Sequence, residues 1–275
     1  MKKLTVFLTI ALFVFSAPAF AMTITGMDTA ENLAQEILGS GVTIFNVSYT
    51  GATAASGYFS GGIDAGIGIE SGIVLTSGYA SNLNGNSNTS DSITGNNGLS
   101  GLSELNTLIP GYSTYDATVL EFDFQSDADS AYFNYVFGSE EYNEYVGSAF
   151  NDVFGFFIDG VNYALIPGTT TPVSINNVNN WSNSAYYNDN DPGPYAFEYD
   201  GFTNKLTTEI LGLNAGQTYH IKLAIADAGD YILDSGVFIQ GGTFSDQPVP
   251  EPATILLLGF GLLGLGIRGR KRFKK

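Results

Sequence analysis

Thr118-Val119-Leu120-Glu121-Phe122-Asp123-Phe124 alternates apolar and acidic side chains with a period of two. Leu120, Phe122 and Phe124 point one way and Glu121 and Asp123 the other, the pattern of a strand with one buried and one wetted face. Residues 131–137 (AYFNYVF) are apolar on both faces and read as a central strand, as do residues 153–158. Further out, residues 42–49, 72–76, 205–211, 218–226 and 236–244 are rich in β-branched and aromatic side chains. Residues 57–72 are dense in glycine, which signals turns and close backbone approach. One helix is expected near the start, with Asp28 as N-cap, Glu31 completing a capping box, Ala30, Leu33, Ala34, Ile37 and Leu38 at helical spacing, and Gly39 as the stop. A short helical turn is expected over residues 100–108. Residues 80–100 and 176–200 read as long polar loops. Many strands, long loops and few helices predict a mainly β fold: a single antiparallel β-sandwich or jelly-roll-like domain with one short N-terminal helix.

The two ends differ from this body. Met1-Lys2-Lys3, an apolar run over 4–16 and the small-residue site Ala19-Phe20-Ala21 read as a secretory signal over residues 1–21. Its partners would be the Sec translocon and a signal peptidase cutting after Ala21. At the other end, Pro250-Glu251-Pro252 precedes an uncharged stretch, 253–267, and a basic tail, 268–275. At about 1.5 Å per residue a helix over that stretch covers ~22 Å, short of the ~30 Å hydrocarbon core. Such a hydrophobic helix must thin the bilayer or snorkel its basic flank. Basic residues stay on the cytoplasmic side, so the tripeptide is expected to emerge outside. The expected organisation is signal peptide 1–21, β domain 22–245 and sorting segment 246–275.

Charge is divided just as unevenly. Of ten Lys and Arg, two lie at the N-terminus and six in the tail, leaving Lys205 and Lys222 in the body. All 27 Asp and Glu lie within residues 22–252, where two cations face 27 carboxylates, a formal charge of −25. Such a body repels nucleic acid and anionic membrane and attracts cations. There is no Cys, which excludes disulfides, a thiol nucleophile and a Cys zinc site. The one histidine, His220, alternates away from Tyr219, Ile221, Leu223 and Ile225 and is expected on the surface beside Lys222.

Phe137-Gly138-Ser139-Glu140-Glu141-Tyr142-Asn143-Glu144 places three carboxylates at the end of an apolar strand, and Asn151-Asp152 opens the next. Ca²⁺ takes six to eight oxygen ligands from carboxylates and carbonyls, so Glu140, Glu141, Glu144, Asn151 and Asp152 are candidate ligands. A second cluster, Asp227, Asp230 and Asp234, joins two late strands. Both clusters also suit solvated, Asx-rich turns without metal. Asn188-Asp189-Asn190-Asp191-Pro192-Gly193 only superficially suggests an EF-hand loop, since Pro192 and the missing terminal Glu break the pattern. Trp181, Tyr186, Tyr187 and Tyr195 in the second long loop suit either stacking on sugars or covering the sheet edge.

The order Pro250-Glu251-Pro252, short Gly-rich apolar stretch and Arg/Lys tail resembles the PEP-CTERM sorting signal. That resemblance implies recognition and cleavage by an exosortase, usually in Gram-negative bacteria that make exopolysaccharide. The body resembles the choice-of-anchor L domain of bacterial surface proteins. The likeness runs through Gly72-Ile73-Val74-Leu75-Thr76-Ser77-Gly78, residues 116–124 and 137–159, Asn177-Val178-Asn179-Asn180, and residues 219–227 and 234–238. It implies an extracellular module with interchangeable anchors, and no assigned catalytic residues. The expectation is an exported, exosortase-processed cell-surface or matrix protein, transiently held at the inner membrane. It would be a non-enzymatic binding or structural module with Ca²⁺ as candidate ligand and exopolysaccharide or surface proteins as candidate partners. The alternative is a secreted carbohydrate-active hydrolase using paired carboxylates.

Overall fold

A computed structural model describes residues 22–85 and 87–249. The signal segment with Ala19 and Ala21, the Pro250-Glu251-Pro252 motif, the apolar stretch and the basic tail lie outside the described residues. No helix among the described residues is long and apolar enough to cross a membrane.

In chain order the strands are β1 (Thr23–Gly26), β2 (Val42–Thr50), β3 (Ser56–Ser60), β4 (Ser71–Thr76), β5 (Thr114–Ser126) and β6 (Ser130–Ser139). Then come β7 (Val153–Ile158), β8 (Val161–Asn162), β9 (Tyr187–Asp189), β10 (Gly201–Thr203), β11 (Leu206–Leu211), β12 (Thr218–Ala228) and β13 (Ser235–Gln240). The helices are α1 (Ala30–Ile37), α2 (Gly62–Ala65) and α3 (Ser103–Leu108). The first sheet runs β1-β3-β4-β13-β6-β10-β9, with β11 also on β6, and the second runs β2-β5-β12-β7-β8. All ladders are antiparallel, as the alternation in residues 118–124 implies.

The sheets stack through one core. Ile73, Leu75, Phe133, Tyr135, Phe137, Val237 and Ile239 of the first sheet meet Leu120, Phe122, Phe124, Phe154, Phe156, Ile158, Ile221, Leu223 and Ile225 of the second. Fully burying one such side chain is worth about 1.5–3 kcal/mol. β6 is apolar on both faces because a second core covers its outer side: Val74, Val136, Phe202 and Phe238 pack under Phe197 and Tyr199 from the segment before β10. On the outer side of the second sheet, Leu105 of α3 packs on Val119, Val153, Phe157, Ala224 and Ala226.

α1 corrects two expectations. Its N-cap is Thr29, whose side chain accepts the Asn32 N–H at 3.1 Å. Asp28 instead accepts from Thr29 N, Asn32 Nδ2 and Tyr58 Oη, tying the helix entry to β3. Gly39 is a close-approach residue, since a Cβ there would stand 2.5 Å from the Gly242 carbonyl.

Candidate metal centre at one end of the sandwich

Strand register assembles the carboxylates. Ser139 of β6 faces Ser235 of β13 on one side and Gly201 of β10 on the other. One residue beyond, the same register sets Glu140 between Asp234 and Asp200. Val136, Phe238 and Phe202 lie in the outer core, so alternation carries Glu140, Asp234 and Asp200 onto the outer face of the first sheet. In the second sheet Ala226 faces Val153, and the next step sets Asp227 opposite Asp152. Ile225 and Phe154 belong to the inter-sheet core, so Asp227 and Asp152 point between the sheets.

Like charges set directly opposite one another repel, and burial compounds the cost. Glu140, Glu141, Asp227, Asp234, Asp116 and Asp200 are each 1% exposed and Asp152 is 0% exposed. Asp152 accepts from Ala228 N at 2.8 Å and from Ser235 Oγ at 2.6 Å. Neither oxygen of Asp227 has a hydrogen-bond partner, nor do Glu140 Oε2, Glu141 Oε2 and Asp234 Oδ2. Ser77 and Asp152 approach the Asp227 carboxylate without closing a bond of ordinary geometry.

Burial pushes the Glu141 carboxyl up to about 10, with the charges of Asp152, Asp230 and Glu144 adding to it. Burial likewise raises Glu140 to about 9, helped by Asp200, Glu198 and Asp234 and opposed by Ile93 N–H. Asp152 rises to about 7 through burial, against the bonds from Ser235 and Ala228. Asp200 rises to about 7 and Asp234 to about 6, burial again leading. Asp227 is held far above the carboxylate range by burial and by Asp152 and Asp234.

Residues 87–100 form the polar loop expected, with many exposed side chains, but part of their backbone is turned toward buried groups. Their backbone folds over this end and turns its N–H groups inward: Ile93 N donates to Glu140 Oε1 and Gly95 N to Asp234 Oδ1, both at 2.9 Å. Asn97 N and Leu99 N donate to Asp116. The reason is accounting for buried polar atoms: carboxylates at strand ends need donors, and small Asn, Ser, Gly and Thr residues let a backbone come close.

The structure therefore brings Glu140, Glu141, Asp152, Asp227 and Asp234 together at one end. Glu144 is exposed and stands at the rim. Asp230 is half-buried and accepts Ile232 N–H. Asn151 is buried, and its side-chain oxygen takes Asn176 N–H at 2.9 Å. Asp116, Asp200, Glu198, Asp91 and Asp191 join the cluster unforeseen; only the acidic turn around Asn190 hinted at any of them. His220 lies on the outer face as expected, its ring 2.9 Å from Asp123 and 3.4 Å from Glu121. Lys222 pairs with Glu104 at 2.6 Å and with Glu121 at 3.2 Å. Trp181 is 72% exposed, whereas Tyr187 and Tyr195 pack on Tyr142 and Phe202.

No curated protein and no solved structure matches the chain. Residues 248–271 match the PEP-CTERM protein-sorting motif, which marks an exported chain with a C-terminal sorting signal and implies processing by an exosortase-type enzyme. Over residues 23–245, most of its length, the chain matches the choice-of-anchor L domain and belongs to that family.

Proposed function

We propose that the β domain is a non-enzymatic surface module whose two sheets are locked at one end by Ca²⁺ held at Asp152 and Asp227, with Glu141, Asp234 and Asp116 adding negative charge. The observation that carries this reading is Asp227, 1% exposed with neither oxygen partnered, facing the like charge of Asp152. A buried, unpaired carboxylate is costly, and a divalent cation converts the repulsion of the whole group into coordination. Ca²⁺ suits all-oxygen donors and flexible geometry. Export supports it too, because extracellular modules bind calcium at about 10⁻⁴–10⁻³ M.

Burial also argues against the hydrolase alternative. Glu140, Glu141, Asp152 and Asp227 are each at most 1% exposed, and the 88–99 backbone covers Glu140, so a glycosidic bond finds no access to them. A groove of about 560 Å³ lined by Tyr163, Tyr186, Lys205, Thr207 and Glu209 offers aromatic and polar groups of the kind that bind exopolysaccharide. In this reading the Sec translocon and signal peptidase deliver the chain, the 253–267 segment holds it briefly at the inner membrane of a Gram-negative cell, and exosortase processing releases the body to the surface.

The test is a melt of the full chain, purified in mild detergent, in calcium and in chelator. At 100 times the dissociation constant calcium should add about 2.7 kcal/mol, a rise of roughly 5–10 °C for a chain of this size. Identical melting temperatures would overturn the metal reading. Glycan turnover lost in Glu140→Gln would overturn the non-enzymatic one.

A further inference from the structure

A second carboxylate group lies outside the first sheet, away from the inter-sheet position. One ligand oxygen each from Asp91, Asp191 and Asp200 lie within 4.8 Å of one another. Calcium–oxygen distances of about 2.3–2.6 Å place opposed ligands roughly 4.6–5.2 Å apart, so the three oxygens fit on one coordination sphere. Asp200 is 1% exposed, and Asp91 and Asp191 are exposed.

Proximity of acids alone would not make a site. The independent pointer is Glu140, 1% exposed, with Oε2 unpartnered. Register places it directly beside Asp200 on the same outer face, and the charges acting on it most are Asp200 and then Glu198. The surrounding bonds bring three chain segments to this point. Asn88 Nδ2 donates to Asp200 Oδ1 and, at 3.0 Å, to the Asn190 carbonyl. Thr89 N and Oγ1 donate to Glu198 at 3.2 and 3.1 Å. Asn190 N donates to the Asp200 carbonyl at 2.7 Å, and Asn190 Nδ2 donates to the Phe197 and Tyr199 carbonyls at 3.0 and 2.9 Å. The acidic turn that fails as an EF-hand thus supplies one ligand, Asp191, to a site built from distant segments.

We infer that Asp91, Asp191 and Asp200, with the buried, unpartnered Glu140 beside Asp200, form a second Ca²⁺ site that pins the segment around residue 90 to the segment preceding β10. It rests on the calcium reading above only in the choice of cation, since it shares no ligand with the site at Asp152 and Asp227. With the cation bound, Asp91 is tied to Asp200, and the segment that roofs the sandwich end is closed at its start.

The experiment is calorimetric titration of the full chain in mild detergent with calcium alone, paired with hydrogen exchange over residues 87–99. Wild type should take up two equivalents. Asp191→Asn and Asp91→Asn, both at exposed positions where folding is undisturbed, should weaken one of them on the order of 10- to 100-fold and speed exchange over residues 87–93. Asp227→Asn should weaken the other and leave that exchange slow. One equivalent, unaffected by Asp191→Asn or Asp91→Asn and lost in Asp227→Asn, would overturn this inference and leave the inter-sheet site standing. One equivalent lost in Asp191→Asn and intact in Asp227→Asn would do the reverse. No calcium uptake at all would overturn both.

Discussion

Asp227 concentrates the energetics of the cluster in one side chain. It sits between the sheets opposite Asp152, 1% exposed, with no partner for either oxygen. In chelator near neutral pH, burial and Asp152 hold the Asp227 carboxyl protonated well above its unfolded range; Asp227→Asn keeps the shape without that cost, so the variant should be more stable than wild type by roughly 2–3 kcal/mol. In calcium the order should reverse, because the variant has lost a ligand. Paired thermal melts of both proteins, with and without chelator, check this. A variant less stable than wild type in both conditions would mean that Asp227 is held by hydrogen bonds the geometry does not show. Residue-level reading of the sequence stops short here. Glu144 and Asp230 were grouped with the ligands by nearness in the chain, whereas their burial is decided by where β6 and β12 end.

α3 shows how an element is placed by absent side chains. Gly155 of β7 faces Ala224 of β12, and a Cβ on Gly155 would stand 2.4 Å from the Phe157 ring and 2.8 Å from Leu105. These two small residues open the space that Leu105, 0% exposed, fills. Leu105→Ala should cost about 2–5 kcal/mol, and Gly155→Ala about 1–3 kcal/mol by overpacking. Lys222→Met, which breaks a partly exposed pair to the same helix, should cost no more than about 1 kcal/mol. Denaturant melts in calcium check the ranking, and equal losses in Leu105→Ala and Lys222→Met would show that α3 is held by charge. The helix itself was legible from residues 100–108, and β5 from its alternation, because one face of each meets water. β6 was recognisable as central, yet what covers its outer face was not, since Phe197 and Tyr199 come from a segment that composition marks as loop. The 88–99 segment is the polar loop its composition predicts, but the inward turn of its N–H groups was not legible. Its Asn, Ser, Gly and Thr residues suit solvation, and nothing in that composition distinguishes water from a buried carboxylate as the partner of a backbone N–H.

For the whole molecule the acidic end makes stability depend on pH in an unusual direction. Carboxyls of an unfolded chain lose their protons near pH 4. In the metal-free fold burial delays that loss to about 6 for Asp234, about 7 for Asp152 and Asp200, about 9 for Glu140 and about 10 for Glu141. A folded pKa above the unfolded one gives stability that is complete below pH 4 and drains away as pH rises through the folded values. Asp28 and Glu104 work the other way, lowered to about 2 chiefly by Tyr58 and by Lys222, but their contribution is lost only below pH 4, outside this window. In chelator the melting temperature should therefore fall steadily from pH 5 to pH 8.5. Part of that fall could come from repulsion across the acidic surface, which salt screens over about 8 Å at 0.15 M and less at higher concentration. Repeating the series in 0.5 M NaCl removes most of that surface repulsion, and the fall should persist. Calcium binds the ionised carboxylates, so its stabilisation should grow with pH, and the calcium and chelator curves should diverge above pH 6. A chelator curve that is flat or rising between pH 5 and 8.5 would show that these carboxylates ionise freely in the fold, and the argument for a buried cation at the sandwich end would go with it.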